Sequence, residues 1–389
     1  MQISARTEAI EPFYVMEILA RARELERAGK TIIHMEIGEP DFETPEPIVA
    51  AGVAALQSGH HHYTPALGLP ELRQAIAEHY QHHYRTPLSA DRVAVTPGSS
   101  GALQLLIALL VNPGDEVLMA DPGYPCNRHF ARLFEGEVVA IPVGPQNHFQ
   151  LTTALVQQHW SERSRVVMIS SPSNPSGTMI AKAELEGIAQ FVAAEGGALI
   201  VDEIYHGLTY GGEEHTALDL PGEPFVVNSF SKYYGMTGWR LGWLVAPEAA
   251  MDGLDRLAQN LFLAPPTPSQ YAALEALSVE TAVILRQRRD EFMRRRDFLY
   301  QRLVALGFVL EERPEGAFYL YADCSHLSED SSQFAMDLLE QAGVAITPGK
   351  DFSLSHPERW VRFAYTTSME QLRVGVTRIA EFLGKGGRQ

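Results

Sequence analysis

The chain has 389 residues, of which 46% are hydrophobic and 20% are charged, a balance typical of a globular protein with room for two lobes. Its 48 acidic against 31 basic side chains give a net charge of -17, which disfavours nucleic acid and anionic membranes as partners. The cysteines Cys126 and Cys324 form no CxxC pair, which argues against a disulfide framework and fits a reducing compartment. With no signal-peptide core and no apolar run long enough to cross a bilayer, we expect a cytoplasmic protein.

The first 45 residues are expected to join a small domain near the end of the chain. Their pattern predicts a helix at Met16–Ala28 and a strand at Ile32–Ile37, followed by a turn-rich connector at 38–47. Further helices are predicted at Pro47–Gln57 and from Pro70, because proline is favoured in the first turn of a helix.

Residues 46–290 are predicted to form a large domain in which short apolar strands alternate with helices. The predicted strands are Val93–Thr96, Glu116–Ala120, Val138–Ile141, Val166–Ser170, Ala198–Asp202, Phe225–Asn228 and Gly242–Val245. This alternation favours an α/β fold with a mostly parallel sheet between helices. Ligands of such sheets bind at the carboxyl ends of the strands, so the informative residues should lie there.

Residues 291–389 are predicted to form a smaller α+β domain, with its boundary inside a long helical region at 269–306. The arginine run at 286–297 contains interleaved acidic residues, so we interpret it as a solvated helix face rather than a nucleic-acid patch. The remaining elements are predicted as strands at Gly316–Ala322 and Val361–Ala364 and a helix at Ser332–Ala342.

Lys232 lies among aromatics, glycines and hydroxyls in the stretch 226–245, VVNSFSKYYGMTGWRLGWLV. It is either a lysine on a surface loop or a desolvated amine with a lowered pKa. The second alternative is what Schiff-base chemistry needs, because only the neutral amine attacks a carbonyl.

Polar side chains follow the ends of other predicted strands, and each has an ordinary structural alternative. Ser99 and Ser100 open a helix, where they either cap it or contribute to a phosphate site. Asp202 follows four apolar residues, so it is either a helix-capping acid or a buried carboxylate that needs a positive partner. Asn174 offers an amide at a turn, and Arg362, within an apolar strand, needs a carboxylate from either the protein or a substrate.

This set of groups matches the needs of pyridoxal phosphate. A lysine forms the imine, an acid keeps the pyridine nitrogen protonated so that the ring acts as an electron sink, and a cradle of donors holds the phosphate. An arginine would take the carboxylate of the amino acid.

The chain resembles a class I/II aminotransferase of the aspartate aminotransferase superfamily, the fold-type I pyridoxal phosphate enzymes. The resemblance extends from about residue 32 to about residue 382. The motifs that carry it are GEPDF (38–42), YTPALGLPELRQAIA (63–77), TPGSSGAL (96–103), DPGYP (121–125), SPSNPSGT (171–178), VDEIY (201–205), SFSKYYGMTGWRLGW (229–243), GAFY (316–319), TPG (347–349) and VRFAY (361–365). It implies a large domain built on a mostly parallel seven-stranded sheet, with a smaller α+β domain.

The resemblance also implies a role for each matching residue. Lys232 is the Schiff-base lysine and proton shuttle, and Asp202 pairs with the pyridine nitrogen. Tyr205 and Asn174 bond the phenolic oxygen of the ring, and Tyr124 stacks on it. The phosphate is surrounded by Ser99, Ser100, Ser229 and Arg240, with Tyr63 reaching it from the neighbouring subunit of a homodimer. The substrate α-carboxylate is bound by Arg362, Asn174 and the backbone at Gly38.

The predicted function is therefore transfer of an amino group from an L-amino acid to a 2-oxo acid by a homodimer with shared active sites. A neutral or aromatic donor is expected, because Tyr124 stands where many relatives carry tryptophan and no second substrate arginine is evident. The alternative is a C–S β-lyase that uses the same cofactor. A non-enzymatic regulator that binds pyridoxal phosphate is disfavoured, because only about thirty residues precede the resemblance. The histidines at 60–62, 79 and 83 have no ligating neighbours, so no metal is expected.

Overall fold

The computed structural model describes residues 3–8, 10–211 and 214–384. The helices in this part of the chain are α1 (Tyr14–Arg27), α2 (Glu46–Gln57), α3 (Pro70–His83), α4 (Gly98–Leu110), α5 (Pro125–Leu133), α6 (Thr153–His159), α7 (Lys182–Ala194), α8 (Met251–Leu261), α9 (Thr267–Ala276), α10 (Val279–Ala305), α11 (Ser331–Asp337) and α12 (Met369–Phe382). The strands are β1 (Ile33–His34), β2 (Val93–Thr96), β3 (Glu116–Asp121), β4 (Glu137–Pro142), β5 (Ser164–Ser170), β6 (Ala198–Asp202), β7 (Phe225–Ser229), β8 (Gly242–Val245), β9 (Tyr319–Asp323), β10 (Val344–Ala345), β11 (Thr347–Pro348) and β12 (Trp360–Ala364).

The seven-stranded central sheet has the order β2-β8-β7-β6-β5-β3-β4. β8 is antiparallel to both of its neighbours, and the other adjacent pairs are parallel, so the predicted mostly parallel sheet is confirmed. Gly242 pairs with both Thr96 and Ser229, and Ser170 pairs with Asp202. The polar residues that follow these strand ends are therefore delivered to one edge of the sheet.

The two faces of this sheet are buried against different helices. Successive side chains of a strand point to opposite faces, so Leu199 and Val201 belong to one apolar core and Ile200 to another. The first core includes residues of α3, α7 and α9, and the second includes residues of α4 and α8. This two-sided burial explains why the strands read as continuous apolar runs.

A smaller antiparallel sheet, in the order β11-β12-β9, lies in the C-terminal part of the chain. β1 pairs in parallel with β10, so a strand from the start of the chain is attached to this region. The division into domains at residues 45 and 290 stays a prediction. Within the described ranges, none of the helices has the length and apolar character needed to cross a bilayer.

The predicted long helix at 269–306 is wrong as a single element. It is divided into α9 and α10, because the Ser278 hydroxyl accepts a hydrogen bond from Thr281 N at 3.1 Å and caps the second helix. The predicted strand from Gly316 begins only at Tyr319, because Ala317 has a φ of 56°, which a strand does not allow. The helix predicted at Ser332–Ala342 ends as a π-helical turn at Leu338–Ala342.

The interpretation of the arginine run as a solvated face is also wrong for two of its members. Arg295 and Arg296 are 4% and 5% exposed. Arg295 donates to Asp41 Oδ1 at 2.7 Å, and its guanidinium carbon lies 4.9 Å from the centre of the Phe42 ring. Buried guanidinium groups are stable here because distant segments supply their counter-charges and aromatic faces.

Candidate active site

Lys232 follows β7 and lies near the carboxyl edge of the central sheet. Its side chain is half-buried, and Nζ donates a hydrogen bond to the Gly38 carbonyl oxygen at 2.8 Å. Burial lowers the pKa of Lys232 to about 8, and the Glu39 carboxylate opposes that shift. Of the two alternatives for this lysine, the structure contains the desolvated amine.

Asp202 ends β6 and is 6% exposed. Oδ1 accepts a hydrogen bond from Ile204 N at 3.1 Å, so the carboxylate has a local partner of the capping type. Burial nevertheless raises the pKa of Asp202 to about 7, and the hydrogen bond from Ile204 opposes the shift. A cationic group beside this carboxylate would therefore restore its ionised form.

Arg362 lies buried on β12, with 2% of its surface exposed. Nη1 donates to Asn174 Oδ1 at 2.8 Å and Nη2 to the Glu36 carbonyl oxygen at 2.6 Å. The guanidinium carbon lies 4.3 Å from the centre of the Tyr319 ring and 4.6 Å from that of Phe352. Within the described part of the chain Arg362 has no carboxylate partner, and its buried Nε has no hydrogen-bond partner. The structure therefore does not contain the first of the two alternatives for this arginine, a carboxylate partner from the described part of the protein.

The N-terminus of α4 is open to an anion. Pro97 at its N-cap makes no side-chain capping bond, so the first turn keeps free N–H groups beside the Ser99 and Ser100 hydroxyls. The Arg240 guanidinium lies against this turn. Its Nη2 would be 2.8 Å from a Cβ atom added to Gly98. The Ser229 hydroxyl is buried at the end of β7, 3.0 Å from the Ser231 hydroxyl.

The remaining predicted residues have different surroundings. Tyr124 precedes α5, and the Phe13 ring meets it edge-on at 6.1 Å between centroids. The Tyr205 hydroxyl lies 2.9 Å from that of Tyr319. Tyr63 is 82% exposed and makes no hydrogen bond to another described residue. Among the predicted site residues, direct contacts join Lys232 to Gly38 and Arg362 to Asn174, and Arg240 lies beside the first turn of α4. Tyr63 takes part in none of these contacts and projects from the surface.

Sequence reasoning missed several residues of the site. Tyr319 stacks under Arg362, and its hydroxyl occupies the space beside Gly38, since a Cβ there would meet that oxygen at 2.0 Å. Tyr319 belongs to the motif GAFY (316–319), but the motif alone predicts no role for this tyrosine. Glu36 and Thr347 contact Arg362 through the pairing of distant segments, for which the sequence gives no local signal.

These residues fit pyridoxal phosphate. The uncapped helix turn at Gly98 with the adjacent Arg240 suits a phosphate, and Lys232 suits a carbonyl. Asp202 suits a protonated ring nitrogen, and the orphaned Nε of Arg362 suits a carboxylate.

Comparison with known proteins agrees with this donor set. The model of the family "Aminotransferase class I and II" matches residues 30–379. The chain belongs to this family. Its members use pyridoxal phosphate, and the protein is an aminotransferase.

Three proteins that are similar to this chain over nearly its whole length differ in their named activities. The chain is 37% identical to a (5-formylfuran-3-yl)methyl phosphate transaminase of Methanocaldococcus jannaschii, over 98% of this chain and 100% of the relative. It is 39% identical to a valine–pyruvate aminotransferase of Mycobacterium tuberculosis, over 96% and 97% respectively. The structure of Thermus thermophilus aspartate aminotransferase with maleate matches with a TM-score of 0.93 and 34% identity, over 98% of this chain and 99% of that one.

Proposed function

We propose that this aminotransferase transfers the amino group of neutral, apolar or aromatic L-amino acids to a 2-oxo acid and works as a homodimer. The open N-terminus of α4 with Arg240 against it would hold the cofactor phosphate, together with Ser99, Ser100 and Ser229. Asp202 would hold the ring nitrogen, and Asn174 and Tyr205 the phenolic oxygen. Tyr124 would cover the ring. When bound, pyridoxal phosphate delocalises the electron pair left on the substrate Cα after its proton departs.

Lys232 is the group that moves the proton. Because its pKa is about 8, a larger fraction of Nζ is neutral near pH 7 than in an ordinary lysine. The neutral amine accepts the proton from Cα of the amino acid, and the ammonium form returns one in the reverse direction. The Gly38 carbonyl, which accepts from Nζ at 2.8 Å, limits where the amine can lie.

Arg362 orients the substrate. Its contacts to Asn174 and Glu36 fix the guanidinium plane, and the rings of Tyr319 and Phe352 exclude water from it. A carboxylate bound there gains charge-assisted hydrogen bonds without having to order the arginine first. This buried arginine without a protein carboxylate is the observation that carries the proposal.

The preference for a neutral side chain rests on the walls next to that arginine. Phe13 and Tyr124 form an aromatic pair, and Tyr124 lines a cavity together with Asn174, the partner of that arginine. A second buried cation near Tyr124 is Arg128, whose Nη2 donates to the Asp351 carbonyl at 3.0 Å. Burial raises the pKa of the Asp351 carboxyl to about 6, and the charges of Arg362 and Arg128 oppose that shift. A second substrate carboxylate would have to compete with that arrangement. The valine–pyruvate activity of one relative is consistent with this preference, whereas the aspartate activity of another stands against it.

The homodimer is supported by an exposed apolar stripe. Val49, Val53 and Leu56 occupy one side of α2 and are 39%, 47% and 55% exposed. Spacings of four and three residues place them on one helix face, a pattern that favours a helical interface. Tyr63, which follows α2 on the same surface segment, would then reach the partner's phosphate site.

The substrate proposal is tested by mixing the holoenzyme with single amino acids and following the absorbance change of the cofactor in the half-reaction. We expect valine, leucine, methionine and phenylalanine to react faster than aspartate, because a desolvated, unpaired carboxylate is penalised more than a missing methylene. Faster reaction with aspartate would contradict the preference. Release of ammonia or thiol without amino transfer would instead favour the lyase.

A further inference from the structure

A buried ion pair lies behind the substrate-binding arginine. The Glu36 side chain is fully buried, and its Oε1 lies 2.7 Å from His34 Nδ1. Its other carboxylate oxygen has no hydrogen-bond partner among the residues described. A buried carboxylate is costly unless a positive group compensates it, so Glu36 depends on the charge of His34.

His34 is held in its charged form from two sides. Its Nε2 lies 3.2 Å from Glu26 Oε1 on α1, and 32% of the imidazole is exposed. The hydrogen bond to Glu36 is the main cause that raises the pKa of His34 to about 9, with a smaller contribution from Glu26 and an opposing effect of burial. Glu26 and Glu36 are the charged groups that face the ring.

The segment that carries this ion pair also forms one wall of the active site. The Glu36 carbonyl accepts hydrogen bonds from Arg362 Nη2 at 2.6 Å and from Thr347 Oγ1 at 3.0 Å. Two residues further on, the Gly38 carbonyl accepts from Lys232 Nζ at 2.8 Å. A shift of this short segment would therefore move acceptors away from both the substrate arginine and the lysine.

We propose that the His34–Glu36 ion pair positions the α-carboxylate site, because protonated His34 keeps Glu36 buried and thereby keeps the Glu36 carbonyl on Arg362. This inference rests on the proposed role of Arg362. His34 and Glu36 are positioning residues, since their side chains act on the substrate through the backbone and Arg362.

The proposal predicts a pH dependence with a definite sign. Folding raises the pKa of His34 to about 9 from its ordinary value of about 6.5. The contribution of the pair is therefore complete below about pH 6.5 and is lost as the pH rises through about 9. Above that pH, the neutral imidazole no longer compensates the buried Glu36 carboxylate, which favours movement of this side chain toward solvent. Binding of a carboxylate should weaken in the same range.

The experiment measures the affinity of the holoenzyme for 3-methylbutanoate, an unreactive carboxylate without an amine, from the shift in cofactor absorbance. Affinities are compared at about pH 7 and about pH 10, where the probe stays ionised. At the lower pH we expect His34→Gln to weaken binding about tenfold, because the bond from Arg362 to Glu36 is lost or misaligned. In the wild type, the affinity for 3-methylbutanoate should be lower at about pH 10 than at about pH 7. In His34→Gln, most of this difference between the two pH values should disappear.

Two further variants separate positioning from simple stabilisation. The double variant His34→Gln/Glu36→Gln should regain most of the affinity, because it leaves no buried charge unpaired. Glu26→Gln removes the exposed partner of the same histidine and should bind like the wild type at neutral pH. Thermal unfolding of each variant is recorded in parallel.

Several outcomes would overturn the inference. Wild-type affinity in His34→Gln at both pH values would do so, whether or not its melting temperature fell. A double variant as weak as His34→Gln would show that charge compensation is not the cause. If Arg362→Lys binds the probe as tightly as the wild type, the assignment of Arg362 itself is wrong, and the failure lies with the proposed function.

Discussion

At the scale of single residues, burial sets the chemistry of Lys232 and Asp202. Loss of solvent is the largest cause of both shifts, lowering the pKa of the lysine to about 8 and raising that of the aspartate to about 7. Their attraction for each other is the smallest of the causes named for either group. Each group is therefore prepared for a ligand, the amine for a carbonyl and the carboxylate for a cation, rather than neutralised by its neighbour.

Replacing Lys232 by alanine tests the residue that carries the covalent chemistry. We expect Lys232→Ala to lose the attachment that borohydride reduction makes permanent, while the phosphate and ring contacts still retain free cofactor. The measurement is peptide mapping of the reduced protein. Lys182→Ala removes an exposed lysine and is the matched control, which should be labelled like the wild type. A label on any peptide other than the one containing Lys232 would contradict the assignment.

At the scale of elements, the apolar runs predicted β2, β6 and β8 with their observed bounds, because strands that are buried on both faces need continuous apolar sequence. The position of Asp202 at a strand end was also predicted correctly, because it follows directly from the apolar run that precedes it in the sequence. Burial of Arg295 could not be predicted, because Asp41 and Phe42 come from 250 or so residues earlier. The role of Glu36 was missed for the same reason.

The first turn of α4 has little free space beside Gly98, so a larger residue there should weaken cofactor binding. Gly98 has a φ of +74°, and a Cβ there would meet Arg240 Nη2 at 2.8 Å. Gly98→Ala should therefore displace the guanidinium and weaken cofactor affinity by about tenfold, the value of one charge-assisted hydrogen bond. Affinity is measured by titrating the apoprotein with pyridoxal phosphate and following protein fluorescence.

The matched control for this element is Gly114→Ala. Gly114 has a φ of +84°, so alanine is strained there to a similar degree, but nothing lies within 4 Å of the added Cβ. Both variants should lose thermal stability, whereas only Gly98→Ala should lose cofactor affinity. Equal affinities in the two variants would show that Arg240 does not depend on the space at Gly98.

At the scale of the whole molecule, one predicted site residue lies apart from the site of its own chain. Tyr63 is 82% exposed, next to the exposed apolar stripe of α2 formed by Val49, Val53 and Leu56. A row of large exposed apolar side chains is more typical of a surface that binds a partner than of a surface that stays in contact with solvent. A second copy seated on α2 would bury the stripe and bring its own tyrosine to the neighbouring phosphate site, so cofactor binding would depend on association.

Hybrid dimers test this arrangement. Tyr63→Ala and Lys232→Ala should each be inactive at limiting cofactor, but a dimer of one chain of each kind contains one intact site. That site combines Tyr63 from one chain with Lys232 from the other. Random reassortment of equal amounts makes half of the dimers hybrids with one of two sites intact, so about a quarter of wild-type activity should return.

As a control, Tyr63→Ala is mixed with the double variant Tyr63→Ala/Lys232→Ala, which can form no intact site and should restore nothing. Tagging the two chains differently and isolating the hybrid measures its activity directly. An inactive purified hybrid, or a fully active monomer in sedimentation, would show that each chain completes its own site.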